Sequence, residues 1–452
     1  MSERAGGEGA GRGIARQVVP PIIFLLWLLA AIETLTDWRL AISIAGILAL
    51  ILSLWAAATR SGYPRFAVLV FGGAGALMLA RSEAWMVGLG ALENASRFVA
   101  FLGCLHLLRA IVQSSPSLRT VQDSFIAFRP QAKRGALQLL GMLFSLPLAI
   151  GAISVIAPFV AREPDPEVRL DAAAWAMRGL SFAVFFSPFT VAMGIVGASL
   201  PGLDLPLLMG LGCCLSLVVL AIPHLIGQAR LPRSLPASFW QALWAVLMPV
   251  FLIVVANITV IFGGGLSTVQ AAILVVPVFA VAVALISPLL VPAAKGRGRA
   301  MAGMIRQTVG SFDNEIAVFV SALVFAAGVT ATPEINAVSQ QLVAALGPPA
   351  MIVATLLGIA LFSSLGVHMV VPTTVLLTLF GPSMPDALHL ALLALAGLLG
   401  WTFGTMSAMG SIAFLICANL FGVSARRLAF GQNLHFMLML FAAYSAAILL
   451  LL

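Results

Sequence analysis

Charged side chains are scarce in this sequence. Asp, Glu, Lys and Arg together make up 9% of the 452 residues, whereas hydrophobic residues make up 61% and the mean hydropathy is +1.10. Soluble globular domains carry about 25% charged residues, so the composition excludes that class. Apolar runs of the ~20 residues that a helix needs to cross a bilayer recur from residue 20 onward. These runs are longer than the ~10-residue alternating segments of a membrane β-barrel. The sequence therefore predicts an all-α polytopic membrane protein.

Cysteine and catalytic signatures are also sparse. The four cysteines, Cys104, Cys213, Cys214 and Cys417, lie in apolar runs without metal-ligand spacing, and we interpret them as packing residues. No HExxH, GxSxG or Walker phosphate-loop pattern occurs in the chain. The sequence thus predicts no catalytic residue, no metal site and no cofactor other than a coupling ion.

The positive charges lie between the apolar runs. The net charge is +8, and the positive-inside rule accounts for it by placing the arginine-rich loops in the cytoplasm, without nucleic acid as a partner. Segment 1–19 is polar and glycine-rich, which predicts a disordered tail, and its charge places the N-terminus in the cytoplasm. Eleven transmembrane helices are predicted, at 20–36, 40–58, 65–81, 85–109, 172–200, 207–227, 237–262, 268–292, 308–330, 387–420 and 430–452.

Two further apolar runs, 135–160 and 350–381, are interrupted by small, polar or proline residues. If each run enters the membrane and returns on the same side, all the arginine-rich loops lie on one face of the membrane. The two runs are therefore predicted to be re-entrant hairpins, the first opening from the cytoplasm and the second from outside. Non-helical backbone at membrane depth is tolerated where protein or a water-filled cavity satisfies it, so each hairpin tip is expected to line a cavity.

An internal repeat with an offset of 217 residues supports the two hairpins. The apolar stripe of SLRTVQDSFIAF recurs in EINAVSQQLVAAL, and Gly141 in the first hairpin corresponds to Gly358 in the second. Because the hairpins open from opposite sides, the repeats are inverted, as in many secondary transporters. The predicted organisation is scaffold helices at 20–84, a first repeat at 85–227, linker helices at 228–307 and a second repeat at 308–452.

Candidate site residues lie at the hairpin tips and at two polar breaks within long apolar runs. Half-helix N-termini and freed carbonyls at such breaks can bind anions and cations near the bilayer midplane. The alternative is that SPFT at 187–190 is a proline kink and that the tips simply need small residues. The candidates for substrate or ion binding are Ser145, Ser187, Pro188, Thr190, Ser363, Ser364, His368, Thr405, Ser407, Gly410 and Ser411.

Three charged or titratable positions leave alternatives open. His368 is interpreted either as a carrier of a coupled proton or as a neutral packing histidine. Arg178 is either the counter-charge for an anionic substrate or a side chain that snorkels to the cytoplasmic face. The cluster at 313–315 could bind a cation or be structural. The structural interpretation is favoured, with Glu315 expected to pair with Arg97 because the repeat offset places the two positions within one residue of correspondence.

The order of these segments resembles the large permease subunit of tripartite ATP-independent periplasmic (TRAP) transporters and, more broadly, the ion transporter superfamily of dicarboxylate and citrate carriers. The resemblance covers about residues 85–430 and rests on IGAISVIAPFVA, SPFTVAMGIVGASLPGLDLPLLMGLG, LLGIALFSSLGVHMVVP and GWTFGTMSAMGSIAFLI. It implies a carrier of the bacterial inner membrane that couples a carboxylate-like anion to Na⁺ or H⁺ and moves in an elevator-like manner. It also implies a periplasmic binding protein and a small membrane subunit as partners, and it is compatible with a homodimer.

The leading hypothesis is therefore an ion-coupled secondary active transporter of an organic anion. Two other classes remain open at this point. One is a membrane-embedded enzyme acting on lipid-linked substrates, with His368 or Arg178 as its active group. The other is a membrane assembly component that transports nothing.

Overall fold

The computed structural model describes residues 2–126, 130–160, 163–230, 236–290, 296–309, 312–408 and 411–452. It is 86% helical, and the described residues form no strand. Ten of the helices in this part of the chain are long and apolar enough to cross a membrane. The chain is thus a polytopic, all-helical membrane protein.

The helices follow one another with short connections. The first eleven are α1 (Ser2–Thr36), α2 (Arg39–Thr59), α3 (Tyr63–Ala67), α4 (Gly73–Arg81), α5 (Trp85–Gln113), α6 (Leu118–Ile126), α7 (Pro130–Leu148), α8 (Ala152–Ile156), α9 (Pro166–Ala183), α10 (Val191–Ser199) and α11 (Leu205–Leu225). The others are α12 (Ala237–Gly264), α13 (Thr268–Leu290), α14 (Arg297–Val309), α15 (Asp313–Ala331), α16 (Pro333–Ser364), α17 (Val370–Phe380), α18 (Ala387–Ser407), α19 (Ile412–Phe421), α20 (Ala425–Phe430) and α21 (Gln432–Leu451).

The helices differ from the predicted spans at definite places. Nine of the ten membrane-length helices correspond to predicted spans, and the tenth is α16, which contains the first arm of the second predicted hairpin. The predicted span 172–200 is instead two helices, because the chain leaves helical geometry between Ala183 and Val191, around Pro188. α1 begins at Ser2, so its helical backbone includes the segment for which the composition predicts a disordered tail.

The chain divides into two compact units. One comprises Met1–Ser114 and Ile253–Ser339, and the other comprises Ser115–Leu252 and Gln340–Leu452. The divisions do not coincide with the predicted repeats, because α5 and α15, which open the two predicted repeats, belong to the first unit. α12 and α16 each contribute residues to both units.

Small residues hold the first unit together. A Cβ atom on Gly75 would lie 2.7 Å from the backbone of Phe325, and one on Gly328 would lie 2.7 Å from the carbonyl oxygen of Gly75. Only glycine permits this approach of α4 to α15, which is a common way of packing membrane helices. On the other side of α15, the rings of Phe98 and Phe319 stack with centroids 6.5 Å apart. α5 is thereby packed against α15, and it also packs against α1, α2 and α13.

One predicted ion pair is wrong. Arg97 of α5 donates to Glu33 of α1 at 2.7 Å and to the side-chain oxygen of Asn94 at 2.9 Å, rather than pairing with Glu315. Although the repeat offset places Arg97 within one residue of Glu315, the guanidinium pairs with a carboxylate on the neighbouring helix α1. The side chains of Asp313 and Asn314 lie outside the described residues.

The second unit is built around α9, whose residues from Ala172 to Ala183 are all buried. α9 runs parallel to α7, because successive residues of one helix meet successive residues of the other. Arg134 pairs with Asp171 at 2.7 Å, and a Cβ on Gly141 would lie 2.9 Å from the carbonyl oxygen of Ala176. Two helices that follow one another can be parallel only if the chain turns back between them, and α8 lies on that return.

Candidate functional site

The second half of this unit repeats the arrangement of the first. α17 returns alongside α16, since a Cβ on Gly358 would lie 2.8 Å from the side chain of Leu376. α18 then runs parallel to α16. A Cβ on Gly400 would lie 2.7 Å from the Cβ of Ile359, and one on Gly404 would lie 3.0 Å from the hydroxyl oxygen of Ser363. Each half therefore has a helix, a returning segment and a second helix parallel to the first.

The hairpin and the following helix touch at matching positions in the two halves. The hydroxyl of Ser187 donates to the carbonyl oxygen of Leu146, 41 residues earlier. Gly404 meets Ser363, which also precedes it by 41 residues. Leu146 and Ser363 are 217 residues apart, as are Ser187 and Gly404, so the contact in the structure has the same offset as the repeat in the sequence.

The two halves also meet in a reciprocal way. Thr402 of α18 donates to the carbonyl oxygen of Ser181 of α9 at 3.3 Å. Each of these residues lies nine positions before the N-cap of the next helix, since Ser181 precedes Thr190 and Thr402 precedes Ser411 by that number. α10 packs against α17, and α19 packs against α8. The helix after each break thus contacts the returning segment of the other half.

The first break contains three of the predicted site residues, and all are buried. Pro188 removes one backbone donor, and the amide N–H of Phe189 donates to the hydroxyl of Ser187 at 3.2 Å. Thr190 is the N-cap of α10 and accepts from the amide N–H of Met193 at 3.2 Å. These hydroxyls therefore act first on the backbone of the break, as N-caps and turn residues do.

The second break, unlike the first, contains a hydroxyl group without a partner in the described residues. Ser411 is the N-cap of α19, and Gly410 lies outside the described residues. The hydroxyl of Thr405 donates to the carbonyl oxygen of Trp401 at 3.0 Å and contacts the sulfur of Met369 at 3.6 Å. The hydroxyl of Ser407 has no hydrogen-bond partner in the described part of the chain.

The two hairpin tips differ in polarity. In the first, Ser145 is buried within α7 and donates to the carbonyl oxygen of Met142, while the chain turns four residues later at Ala149, whose φ is +45°. In the second, Ser363 is 1% exposed, and its hydroxyl has no partner among the described residues. The sequence predicts that the second tip provides more of the substrate contacts than the first, and the free hydroxyl of Ser363 is the group at that tip which a ligand could use.

The other two residues of the second tip are less available. Ser364 is exposed, and its hydroxyl donates to the carbonyl oxygen of Ala360 at 2.8 Å. His368 is half-buried, and its Nδ1 accepts from the amide N–H of Val370 at 3.4 Å. Gly366, with a φ of +91°, allows the turn between them.

Arg178 is 4% exposed and is held inside the second unit. Its Nε donates to the side-chain oxygen of Asn433 at 3.0 Å, and its Nη2 donates to the carbonyl oxygen of Gln432 at 3.2 Å. The rings of Trp175 and Phe436 each lie 4.7 Å from the guanidinium carbon. The side chain is thus ordered by groups of α9 and α21 and does not extend to an outer surface.

Two cavities of about 490 Å³ each lie at the N-terminal end of α9. Both are bounded by Glu167, Asp171 and Gln432. Glu167 forms an exposed ion pair with Arg427 of α20, and the hydrogen bond from Arg427 lowers the pKa of the Glu167 carboxyl below its ordinary value. The cavity walls are therefore charged, whereas the two breaks are lined by hydroxyls.

Several polar groups near the breaks are not among the predicted site residues. Ser181 and Thr373 are buried with hydroxyls that lack a partner in the described residues, and Thr402 joins the two halves. Asn433 is fully buried in a largely apolar terminal segment, and an amide in that setting is a signal from which it could have been predicted. The acceptor at Leu146 is a backbone carbonyl oxygen, so no pattern of side chains in the sequence could indicate it.

Sequence comparisons find no protein-family model that matches the chain and no curated protein that matches it.

Proposed function

We propose that this chain is an ion-coupled secondary active transporter that carries a carboxylate-like organic anion across the bacterial inner membrane. The observation that supports this most directly is the repeated contact between a hairpin and the parallel helix after it, Leu146 with Ser187 and Ser363 with Gly404. Inverted repeats with broken helices are the architecture in which many secondary transporters bind substrate and ion.

In the proposed mechanism, 135–160 and 350–381 are re-entrant hairpins of two inverted repeats. α10 packs against α17, and α19 packs against α8. This packing supports the assignment, because in each half the helix after the break contacts the returning segment of the other half, while α9 contacts α18. Each unit has its own packed interior, as an elevator-type carrier requires of its scaffold and of its moving part. The TRAP-like resemblance adds a periplasmic binding protein and a small membrane subunit as proposed partners, and a homodimer as the proposed assembly.

The proposed substrate and ion contacts lie at the second tip and the second break. The hydroxyls of Ser363 and Ser407 have no partner in the described part of the chain, and Thr405 lies two residues before Ser407 on α18. A hydroxyl can donate to a carboxylate or accept from a cation, and the N-terminus of α19 adds partial positive charge. We propose Na⁺ or H⁺ as the coupling ion, with His368 as the group that would carry a proton.

Uptake into liposomes tests this function. Purified protein should accumulate at least one member of a panel of radiolabelled organic acids, and accumulation should require an inward Na⁺ or H⁺ gradient. Imposing each gradient separately identifies the ion. Absence of ion-dependent uptake and binding for the whole panel would contradict the proposal.

Ser363→Ala makes the test specific for the site. Removing a hydroxyl that binds a charged ligand costs about 1.5–3 kcal/mol, so uptake at low substrate concentration should fall roughly tenfold or more. Thermal stability should be unchanged, because the hydroxyl has no partner in the described residues. Thr378→Ala is the matched control, since the Thr378 hydroxyl donates to the carbonyl oxygen of Thr374 within α17. Equal uptake by both variants would remove Ser363 from the site.

A further inference from the structure

The guanidinium of Arg178 carries a buried positive charge without a carboxylate partner. Among the described residues, no carboxylate oxygen lies within 4 Å of it, and its two hydrogen bonds go to the neutral oxygens of Asn433 and Gln432. The nearest acidic group along α9, Asp171, is already paired with Arg134 at 2.7 Å. The three side chains therefore carry a net charge of +1, which is costly inside a membrane protein unless an anion compensates it.

Two unused donors lie beside this charge. The Nδ2 of Asn433 is buried without a protein partner in the described residues, although the Oδ1 of the same amide accepts from Arg178. The Nε1 of Trp175 is also buried without such a partner, and its ring lies against the guanidinium. Buried N–H donors are nearly always satisfied, so both groups point to a missing acceptor. The Nη1 of Arg178 makes none of the hydrogen bonds described above and adds a third donor.

The charged cavities lie next to residues that contact or neighbour Arg178. Ala174 lines one cavity and lies one helical turn before Arg178 on α9. Gln432 lines both cavities, and its carbonyl oxygen accepts from the Nη2 of Arg178. Arg178 therefore lies one helical turn from a cavity-lining residue of α9 and hydrogen-bonds to a second lining residue, all within the same unit.

We propose that Arg178, Asn433 and Trp175 form a binding site for a small monovalent anion, a carboxylate group or a halide. A single charge matches the net charge of the cluster, and donors on an amide, an indole and a guanidinium select an acceptor-only ligand. If the ligand is the carboxylate of the transported substrate, the site deepens the proposed function and rests on it. If it is a halide, the site is a permanent counter-ion site.

Anion-dependent thermal stability of the full-length protein in lipid nanodiscs tests the site. Potassium acetate and potassium chloride are titrated separately, with the potassium salt of a bulky sulfonate buffer keeping the ionic strength constant. The melting temperature of the wild type should rise with the concentration of at least one of the two anions, because a ligand that binds the native state stabilises it. A response to acetate alone assigns the site to carboxylates, and a response to chloride assigns it to halides. A melting temperature independent of both anions overturns the proposal.

Two variants move the result in opposite directions. Arg178→Met should weaken the apparent anion affinity about 30-fold or more, the loss typical of removing one partner of a buried charge pair. Asn433→Asp places a fixed carboxylate next to the guanidinium, so it should raise the melting temperature without added anion and abolish the anion response. Arg81→Met, which removes an exposed arginine of the other unit, is the matched control and should respond like the wild type. A wild-type anion response in Asn433→Asp would overturn the proposal even if Arg178→Met does not fold.

This measurement needs no transport, so the two proposals can fail separately. Anion binding that depends on Arg178, without uptake in liposomes, supports the site and contradicts the transporter. Uptake without any Arg178-dependent anion binding supports the transporter and overturns the site.

Discussion

Glycine sets the spacing between α7 and α9. Gly179 lies against the carbonyl group of Gln138, and a Cβ atom on Gly141 would lie 3.3 Å from the Cα of Gly179. No larger residue fits at this crossing without moving one helix. The crossing also affects where Arg178 meets α21, because Arg178 directly precedes Gly179 on α9, and where Ser187 meets Leu146, because Ser187 follows shortly after the end of α9.

Gly179→Ala should therefore destabilise the protein. The added Cβ would overlap the carbonyl oxygen of Gln138, and overpacking of this kind costs about 1–3 kcal/mol or more. Gly197→Ala is the matched control, because a Cβ there would have only a side-chain carbon of Leu205 within 4 Å, at 3.9 Å. Thermal denaturation in detergent should show a lower melting temperature for Gly179→Ala and no decrease for Gly197→Ala. Equal melting temperatures would show that α7 and α9 can separate at little cost.

At the scale of elements, ion pairs fasten the N-terminal end of α9 to its neighbours. Arg134 of α7 pairs with Asp171, and Arg427 of α20 forms a two-pronged pair with Glu167. Lys133 pairs with Glu163 in the segment before α9, at 3.7 Å. Residues of these pairs line the two cavities at the N-terminal end of α9, whereas the first break follows the C-terminal end of the same helix.

Acid should weaken the link between α9 and α20. Because Arg427 lowers the pKa of Glu167 below its ordinary value of 4.5, the ionised carboxylate is favoured in the folded protein. The stabilisation is present above that ordinary value and is lost as the pH falls through the lower pKa of the folded state. Thermal denaturation of the wild type and of Glu167→Gln, measured at pH 7 and below pH 4.5, should show a smaller acid-induced decrease in melting temperature for the variant. Since the pair is exposed, the difference is expected to be small. An identical decrease for both proteins would show that the pair does not link the helices.

At the scale of the whole molecule, the distribution of arginines predicts a membrane topology that can be tested. The proposed re-entrant hairpin 135–160 places the segments before and after it on the same side of the membrane. A run that crosses the membrane once would place them on opposite sides. An odd number of crossings is predicted between residues 386 and 426, so these two residues should lie on opposite sides of the membrane.

Cysteine labelling in intact cells distinguishes these topologies. In a background without the four native cysteines, Arg119→Cys and Asp165→Cys should both be protected from a membrane-impermeant maleimide until the cells are permeabilised. Asp386→Cys should react in intact cells, and Arg426→Cys should react only after permeabilisation. All four positions are exposed in the structure, so protection reports the side of the membrane and not burial. Labelling of only one of the first two positions in intact cells would show that 135–160 crosses the membrane.

Local features of the sequence predict the helices and their breaks, because apolar length and proline act over a few residues. The motif SPFT predicts the end of α9, and LGVHMVVP predicts the turn between α16 and α17. These local features do not predict contacts between residues that are distant in sequence. Asn433 hydrogen-bonds to Arg178, 255 residues away in sequence, and Arg97 pairs with Glu33 rather than with the predicted Glu315. The parallel packing of α7 with α9 depends on Gly141 and Gly179, and composition does not indicate which residues these glycines contact.

The two hairpin contacts lie at different heights above their breaks. Ser187 lies three residues before the N-cap Thr190, whereas Gly404 lies seven residues before the N-cap Ser411. The difference of four residues is about one helical turn, so it changes the distance along the helix axis but hardly the direction in which the following side chains point. Thr405 and Ser407 lie between Gly404 and Ser411, whereas only Pro188 and Phe189 lie between Ser187 and Thr190. The second half therefore has two hydroxyl-bearing residues in a stretch for which the first half has no counterpart.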